Sequence, residues 1–175
     1  LKIEAELDCL IDVVVMVQGD EPMVTPKMIS EAIHPFERDS SVNVVNLMSK
    51  MLTVEEFGDP NEVKVVIDKN SDAIYFSREP IPSMKKGAKD ITMLKQVCII
   101  PFKRNYLLQF NEMSETELER IESVDMMRLI ENGDKIRMVM TSEDSYSVDT
   151  EADRRNVEIK MSNDQIMPKY RNNNG

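Results

Sequence analysis

The run I-D-V-V-V-M-V-Q-G-D-E-P at residues 11–22 decides how this chain is read. Its first seven residues are short, β-branched and almost unbroken in apolar character, the pattern of a strand buried on both faces of a parallel sheet. Gln18-Gly19-Asp20-Glu21-Pro22 then stops the strand with a polar, turn-forming cluster. Thr25-Pro26 supplies an N-cap and a first-turn proline, so a helix is predicted over residues 27–36 with Met28, Ile29, Ala32 and Ile33 inward. Strand, polar turn and helix in that order form the unit of an α/β fold. In open α/β sheets, ligands bind beyond the carboxyl ends of the strands. The turn at residues 18–22 is therefore the first place to seek a site.

The alternation continues outward. Residues 42–48 read as the next strand, and Thr53 caps a short helical turn whose positive end carries Glu55 and Glu56. Residues 63–68 and 73–77 read as strands joined by a hairpin-like turn at Lys69-Asn70-Ser71-Asp72, followed by a polar, lysine-rich loop at residues 83–90 with Lys85, Lys86 and Lys89. Residues 94–102 are strand-like, residues 103–111 and 115–132 helical, and residues 136–140 a further strand. Thr150 opens a last helix that ends near Met161. These elements predict one α/β domain over residues 1–161, with a mostly parallel central sheet and flanking helices, and a polar tail over residues 162–175.

Composition narrows the function classes. Among 175 residues, 22 basic against 32 acidic side chains give a net charge of −10, which argues against nucleic acid or an anionic membrane surface as partner. No apolar run has the length of a bilayer span. Cys9 and Cys98 are too few for a disulfide framework and fit a reducing, cytoplasmic setting. The chain opens at Leu1 without a signal-peptide pattern, which reads as the continuation of something longer. Dinucleotide-fold, P-loop and nucleophile-elbow signatures are absent from the sequence. The 14 methionines read as adaptable core filler.

Four constellations remain as candidates. Asp20 is either a hard-cation ligand or the cap of a solvated turn. Asp149, in S-Y-S-V-D-T, is either a second carboxylate converging with Asp20 on one magnesium ion or a plain helix N-cap. Arg78, leaving the strand Y-F-S with Lys64 on the strand before it, either forks onto a carboxylate or phosphate or covers the sheet edge. Asp125 borders the apolar face of Leu118, Ile121 and Val124, and is either a site residue or the ion-pair partner of Arg128.

Taken in order, VVVMVQGDEP, DPNEVKVVIDKNSDAIYFSREPIP, ELERIESVDMMRLIENGDKIRM and YSVDTEAD make a more specific set than any one of them alone. Together they resemble the 3-deoxy-manno-octulosonate (KDO) cytidylyltransferases over roughly residues 11–160. The resemblance implies a Rossmann-like, nucleotide-diphospho-sugar transferase fold. It also implies a Mg²⁺-dependent reaction in which a sugar-acid hydroxyl attacks the α-phosphate of CTP and releases pyrophosphate, for lipopolysaccharide or surface-polysaccharide synthesis. Carried over residue by residue, Asp20 and Asp149 become the metal pair and, with Arg78, the catalytic set. Gln18, Glu21, Lys64, Gln96 and Asp125 become substrate-binding neighbours. Residues beyond FSREPIP and around 118–130 are implied to build a homodimer.

The chain also departs from the family. Its Arg-His reads Lys95-Gln96, its GIYGY reads CIIPF at residues 98–102, and its Glu-Gln reads Asp125-Met126. These changes point to a related sugar acid, amino-substituted or neuraminate-type, or to a domain that keeps the fold and binds a sugar acid or a partner without turnover. The family's basic loop for the CTP triphosphate has no counterpart before Asp12, so the expectation is a chain lacking the N-terminal nucleotide segment and weakly active by itself.

Overall fold

The computed structural model describes residues 2–87, 91–164 and 166–168. Lys89 of the lysine-rich loop and residues 169–175 of the polar tail lie outside the described residues. Seven strands and seven helices follow one another along them: α1 (Lys2–Leu7), β1 (Val13–Val17), α2 (Pro26–Arg38), β2 (Val45–Lys50), α3 (Val54–Gly58), β3 (Lys64–Ile67), β4 (Ala73–Ser77), β5 (Leu94–Val97), β6 (Ile99–Lys103), α4 (Arg104–Glu112), α5 (Glu117–Glu122), α6 (Met127–Glu131), β7 (Arg137–Met140) and α7 (Glu151–Ser162). None of these helices is long and apolar enough to cross a membrane.

Local chemistry explains most boundaries. Thr25 accepts a hydrogen bond from Met28 N with Pro26 in the first turn of α2, and Thr53 accepts from Glu56 N to start α3. Met28 and Ala32 face inward from α2 onto Leu47, Val97 and Ile99. The larger core gathers Phe76, Phe102, Phe110, Met126, Met127, Leu129 and Ile136, with the Phe102 and Phe110 ring centroids 5.4 Å apart. Met126 and Met127 are fully buried, consistent with methionine as an irregular-gap filler.

The α/β layering agrees with the sequence reading, but the expected mostly parallel pairing does not hold. A five-stranded sheet runs in the order β4-β3-β5-β2-β7, and a second sheet pairs β1 with β6. Among the described residues only β2–β7 is parallel; β2–β5, β3–β4, β3–β5 and β1–β6 are antiparallel. Connection length is the reason. The hairpin-like turn expected between β3 and β4 is present, closed by Asp68 N to Asp72 O at 2.8 Å and far too short for a parallel crossover. β5 and β6 are two halves of one run, separated only by Cys98, each taking an antiparallel partner in a different sheet. An apolar run reads the same in either pairing once both its faces are covered, so the sequence did not distinguish them.

Two further expectations change. β1 is half-buried instead of buried on both faces, with Val17 42% exposed, because its pairing among the described residues is to β6 alone. The single helix expected over residues 115–132 is divided into α5 and α6 by Ser123, which adopts a left-handed conformation (φ 53°). Arg78 accounts for the break: its Nε donates to Glu122 O (2.7 Å) and its Nη2 to Ser123 O (3.2 Å), taking carbonyls that a continuous helix would need. Ile121 is consequently 66% exposed instead of lining an apolar face. α1, not foreseen from local pattern, is tied down by an ion pair from Glu4 to Arg104 and by Ile11 N donating to Glu4 Oε1 at 3.2 Å.

Candidate active site

Where the two sheets meet, the bend at Cys98, the turn after β1, the loop after β7, residues 61–63, Arg78 and the α5–α6 break enclose a cavity of about 440 Å³. The turn closes on itself through Glu21 N to Gln18 O (3.2 Å) and on the bend through Gln18 N to Cys98 O (3.3 Å). Glu21 points inward, where its carboxylate accepts from Ser145 Oγ (2.7 Å) and Cys98 N (3.4 Å). Burial pushes its pKa up against those two hydrogen bonds. A backbone bond from Val148 N to Asp20 O (2.9 Å) brings the loop after β7 onto the same turn.

Asp20 and Asp149 therefore lie on one wall, although 129 positions separate them in sequence (149 minus 20). Asp20 Oδ1 is buried and has no hydrogen-bond partner among the described residues, a costly condition for a carboxylate oxygen. Asp149 is not the cap of α7. Thr150 holds that position, with its Oγ1 accepting from Asp153 N at 3.2 Å, and among the described residues Asp149 accepts only from Ser147 Oγ at 3.0 Å. Among the described residues no set of three or more histidine, cysteine or acidic side chains is arranged to hold a metal. Magnesium does not require one, since it commonly takes one or two carboxylates and completes its shell with water and substrate oxygens. An orphaned carboxylate oxygen beside a second, uncommitted carboxylate fits that demand.

The cations divide into committed and available. Arg78 lines the cavity and is pinned by donation to Glu122 O, Pro60 O (2.8 Å) and Ser123 O, which leaves part of its five-donor fork for a ligand. Lys64, expected beside it as a substrate contact, stands behind the wall with no exposed surface. Its ammonium donates to Asp59 O (2.7 Å), Glu62 O (2.8 Å) and Arg78 O (2.5 Å), so all three N–H groups are used. Burial pushes the Lys64 pKa down. Lys95 does line the cavity, held between Glu56 (2.9 Å) and Glu62 (3.0 Å); burial acts to lower its pKa, but the two carboxylates carry it up and keep it charged. Arg120 also lines the cavity and has no ion pair among the described residues.

Gln18 and Gln96 are on the wall as expected, Gln96 oriented by its Nε2 donating to Asn46 Oδ1 at 2.6 Å. Asp125 is there too, and burial raises its pKa. The ion-pair alternative for Asp125 is not taken up. Arg128 Nε instead donates to Glu119 Oε2 (2.8 Å), and its guanidinium lies 4.6 Å from the centre of the Phe110 ring. The Cys98 thiol is pushed well up by burial and by the carboxylates of Glu21, Asp20, Asp125 and Asp149. Sequence reasoning missed Lys95, Arg120, Glu62 and Ser145 as wall residues. Only Lys95 carried a signal, as the single charge inside an otherwise strand-forming stretch at residues 94–102.

Comparison with known proteins sharpens this picture. The cytidylyltransferase family model matches residues 3–136. A 3-deoxy-manno-octulosonate cytidylyltransferase of Geobacter metallireducens is 39% identical over 175 residues, covering 94% of this chain and 68% of that protein. The enzyme of the same name from Fusobacterium nucleatum is 38% identical over 157 residues, covering 89% of this chain and 64% of its own length. A solved structure of CMP:2-keto-3-deoxy-manno-octonic acid synthetase complexed with CTP superposes with a TM-score of 0.80 at 30% identity, covering 93% of this chain and 66% of that one. The chain thus spans about two thirds of the length of the relatives it matches.

Proposed function

The chain belongs to the cytidylyltransferase family, and from that premise we propose that it carries the sugar-acid side and the metal pair of an enzyme that joins CMP to a KDO-type acid. In the reaction, an oxygen of the sugar-acid hydroxyl forms a bond to the α-phosphorus of CTP, the bond from that phosphorus to the pyrophosphate oxygen breaks, and the hydroxyl proton is released. Such a displacement needs positioning and charge stabilisation more than a nucleophilic side chain. That requirement agrees with a wall of carboxylates and cations whose single thiol is held protonated.

The observation that carries the reading is the orphaned Oδ1 of Asp20 on the same wall as Asp149. These two residues would hold Mg²⁺, which when bound supplies neutralisation of the phosphate charge. Arg78 offers its unused N–H groups to a carboxylate or phosphate, and its three carbonyl bonds fix the fork in place. Gln18, Gln96 and Asp125 supply hydrogen-bonding groups that suit the hydroxyls of a sugar acid. The product would serve lipopolysaccharide or surface-polysaccharide assembly from the cytoplasm. The exposed Ile121 beside the α5–α6 break suits a homodimer contact.

The test is pyrophosphate release from CTP with a KDO-type acid and Mg²⁺, measured on the protein that carries this chain and on its Asp20→Asn and Asp149→Asn variants. Loss of at least about hundredfold in turnover is expected for each, with the fold intact by circular dichroism. Full activity in both variants would remove the metal-pair assignment.

A further inference from the structure

We propose that Glu21 is a positioning residue, whose carboxylate clasps Ser145 and the backbone of Cys98 so that the Asp20 and Asp149 segments are already assembled when a divalent cation arrives. The inference rests on the metal-dependent reading above and assigns Glu21 a place behind the reacting groups, in contrast to a substrate contact.

Three segments far apart in sequence meet at this carboxylate: the turn at residues 18–22, the bend at Cys98 and the loop at residues 141–149. The loop is anchored at its start, where Thr141 Oγ1 donates to Glu31 Oε2 (2.7 Å) and Lys27 Nζ bonds Ser142 Oγ (2.8 Å) and Glu143 Oε1 (2.7 Å). Between those anchors on α2 and the backbone bond at Val148, the Ser145–Glu21 bond of 2.7 Å is the tie in the middle. Ser145 and Glu21 are both buried at 8% exposure, so the bond is shielded from competing water. The same carboxylate also accepts from Cys98 N, where the run of residues 94–103 passes from one sheet to the other.

A third carboxylate behind the metal pair repels the other two, and an apolar residue would pack there without that penalty. Its presence is explained by geometry. The two oxygens of one carboxyl group accept from the Ser145 hydroxyl and the Cys98 amide, whereas a carboxamide turns one of its two arms into a donor. Groups that orient metal-binding side chains in this way change metal affinity by about 10- to 100-fold when removed.

The experiment measures Mn²⁺ binding by electron paramagnetic resonance, without substrates, for the protein and for Ser145→Ala, Glu21→Gln and Asp20→Asn. Ser145→Ala is the decisive variant because it leaves every charge in place. About tenfold weaker Mn²⁺ binding in Ser145→Ala and Glu21→Gln, with Tm close to the parent, is the expected result. In turnover, the same two variants should require more Mg²⁺ yet recover kcat as Mg²⁺ is raised. Unchanged Mn²⁺ affinity in both, or a lowered Tm with affinity unchanged, would overturn the inference and leave the metal reading intact. Mn²⁺ binding that Asp20→Asn does not weaken would overturn the metal reading itself, and the inference with it.

Discussion

Replacing Lys64 by methionine tests whether that ammonium belongs to the architecture or to the substrate. The substitution keeps an unbranched apolar stem in a fully buried position and deletes three donors. The carbonyls of Asp59, Glu62 and Arg78, now 2.7, 2.8 and 2.5 Å from Nζ, lose their partner. Each of these part-buried acceptors so abandoned costs at most about 1–3 kcal/mol, or at most about 3–9 kcal/mol for the set. Against this stands relief from burying an ammonium, worth several kcal/mol in order of magnitude, and visible in the downward push that burial exerts on the Lys64 pKa. The difference leaves the variant about 3 kcal/mol less stable, or about 6–12 °C lower in Tm for a domain of this size. The assay pairs equilibrium urea denaturation with separate KM values for CTP and the sugar acid. Since the tethered carbonyls lie under Asn61, Glu62 and Arg78, any loss of kcat/KM should fall on both substrates alike. Unchanged stability together with a tenfold rise in KM for one substrate would refute the reasoning and return Nζ to the site.

Arg128→Met removes the partner of the buried Glu119 and the cation over Phe110, and should cost about 3 kcal/mol by urea denaturation; a change below about 1 kcal/mol would show the pair to be dispensable. Cys9 is exposed, whereas burial and four nearby carboxylates hold the Cys98 thiol protonated. Mass spectrometry after iodoacetamide at pH 8 should therefore find Cys9 fully modified and Cys98 spared, and equal labelling would contradict the assembled wall. The hydrogen bond from Arg104, then that from Ile11 N, holds the Glu4 carboxyl at about 2, below its ordinary 4.5. A depressed carboxylate stabilises above its unfolded pKa and stops doing so as pH falls through its folded one, so the α1 tie should weaken between about pH 4.5 and 2. A Glu4 resonance titrating near 4.5 by NMR would break that prediction.

The sequence carried the elements more faithfully than their assembly. Thr25-Pro26, Thr53 and Thr150 marked helix starts because a cap is a local bargain between a side chain and amides two or three residues on. The direction of strand pairing is a matter of which run lies beside which, and residues 94–103 gave no local sign that Cys98 would hand them from one sheet to another. The division of residues 115–132 was likewise invisible, because its cause is a guanidinium 44 positions earlier along the chain. At the candidate site, the QGDEP turn and the SVDT loop were legible as carboxylates at strand ends. Lys64 was misplaced because a lysine opening a strand looks solvent-bound until the carbonyls that surround it are known. Ser145 could not be singled out, since a serine in a polar loop has no distinguishing pattern; only its bond to Glu21 marks it.

The bend at Cys98 has a consequence for how the molecule comes apart. β2 is buried along nearly all its length, while β1, on the other side of the seam, is half-exposed. The free energy of local opening is lower where fewer apolar contacts must be given up, so β1 and its turn are expected to open ahead of the five-stranded sheet. That turn contains Asp20, so such opening would reach the candidate site. A ligand spanning the seam raises the opening energy of the weaker half by RT ln(1 + [L]/Kd), and so protects the backbone at residues 18–22 from proteases.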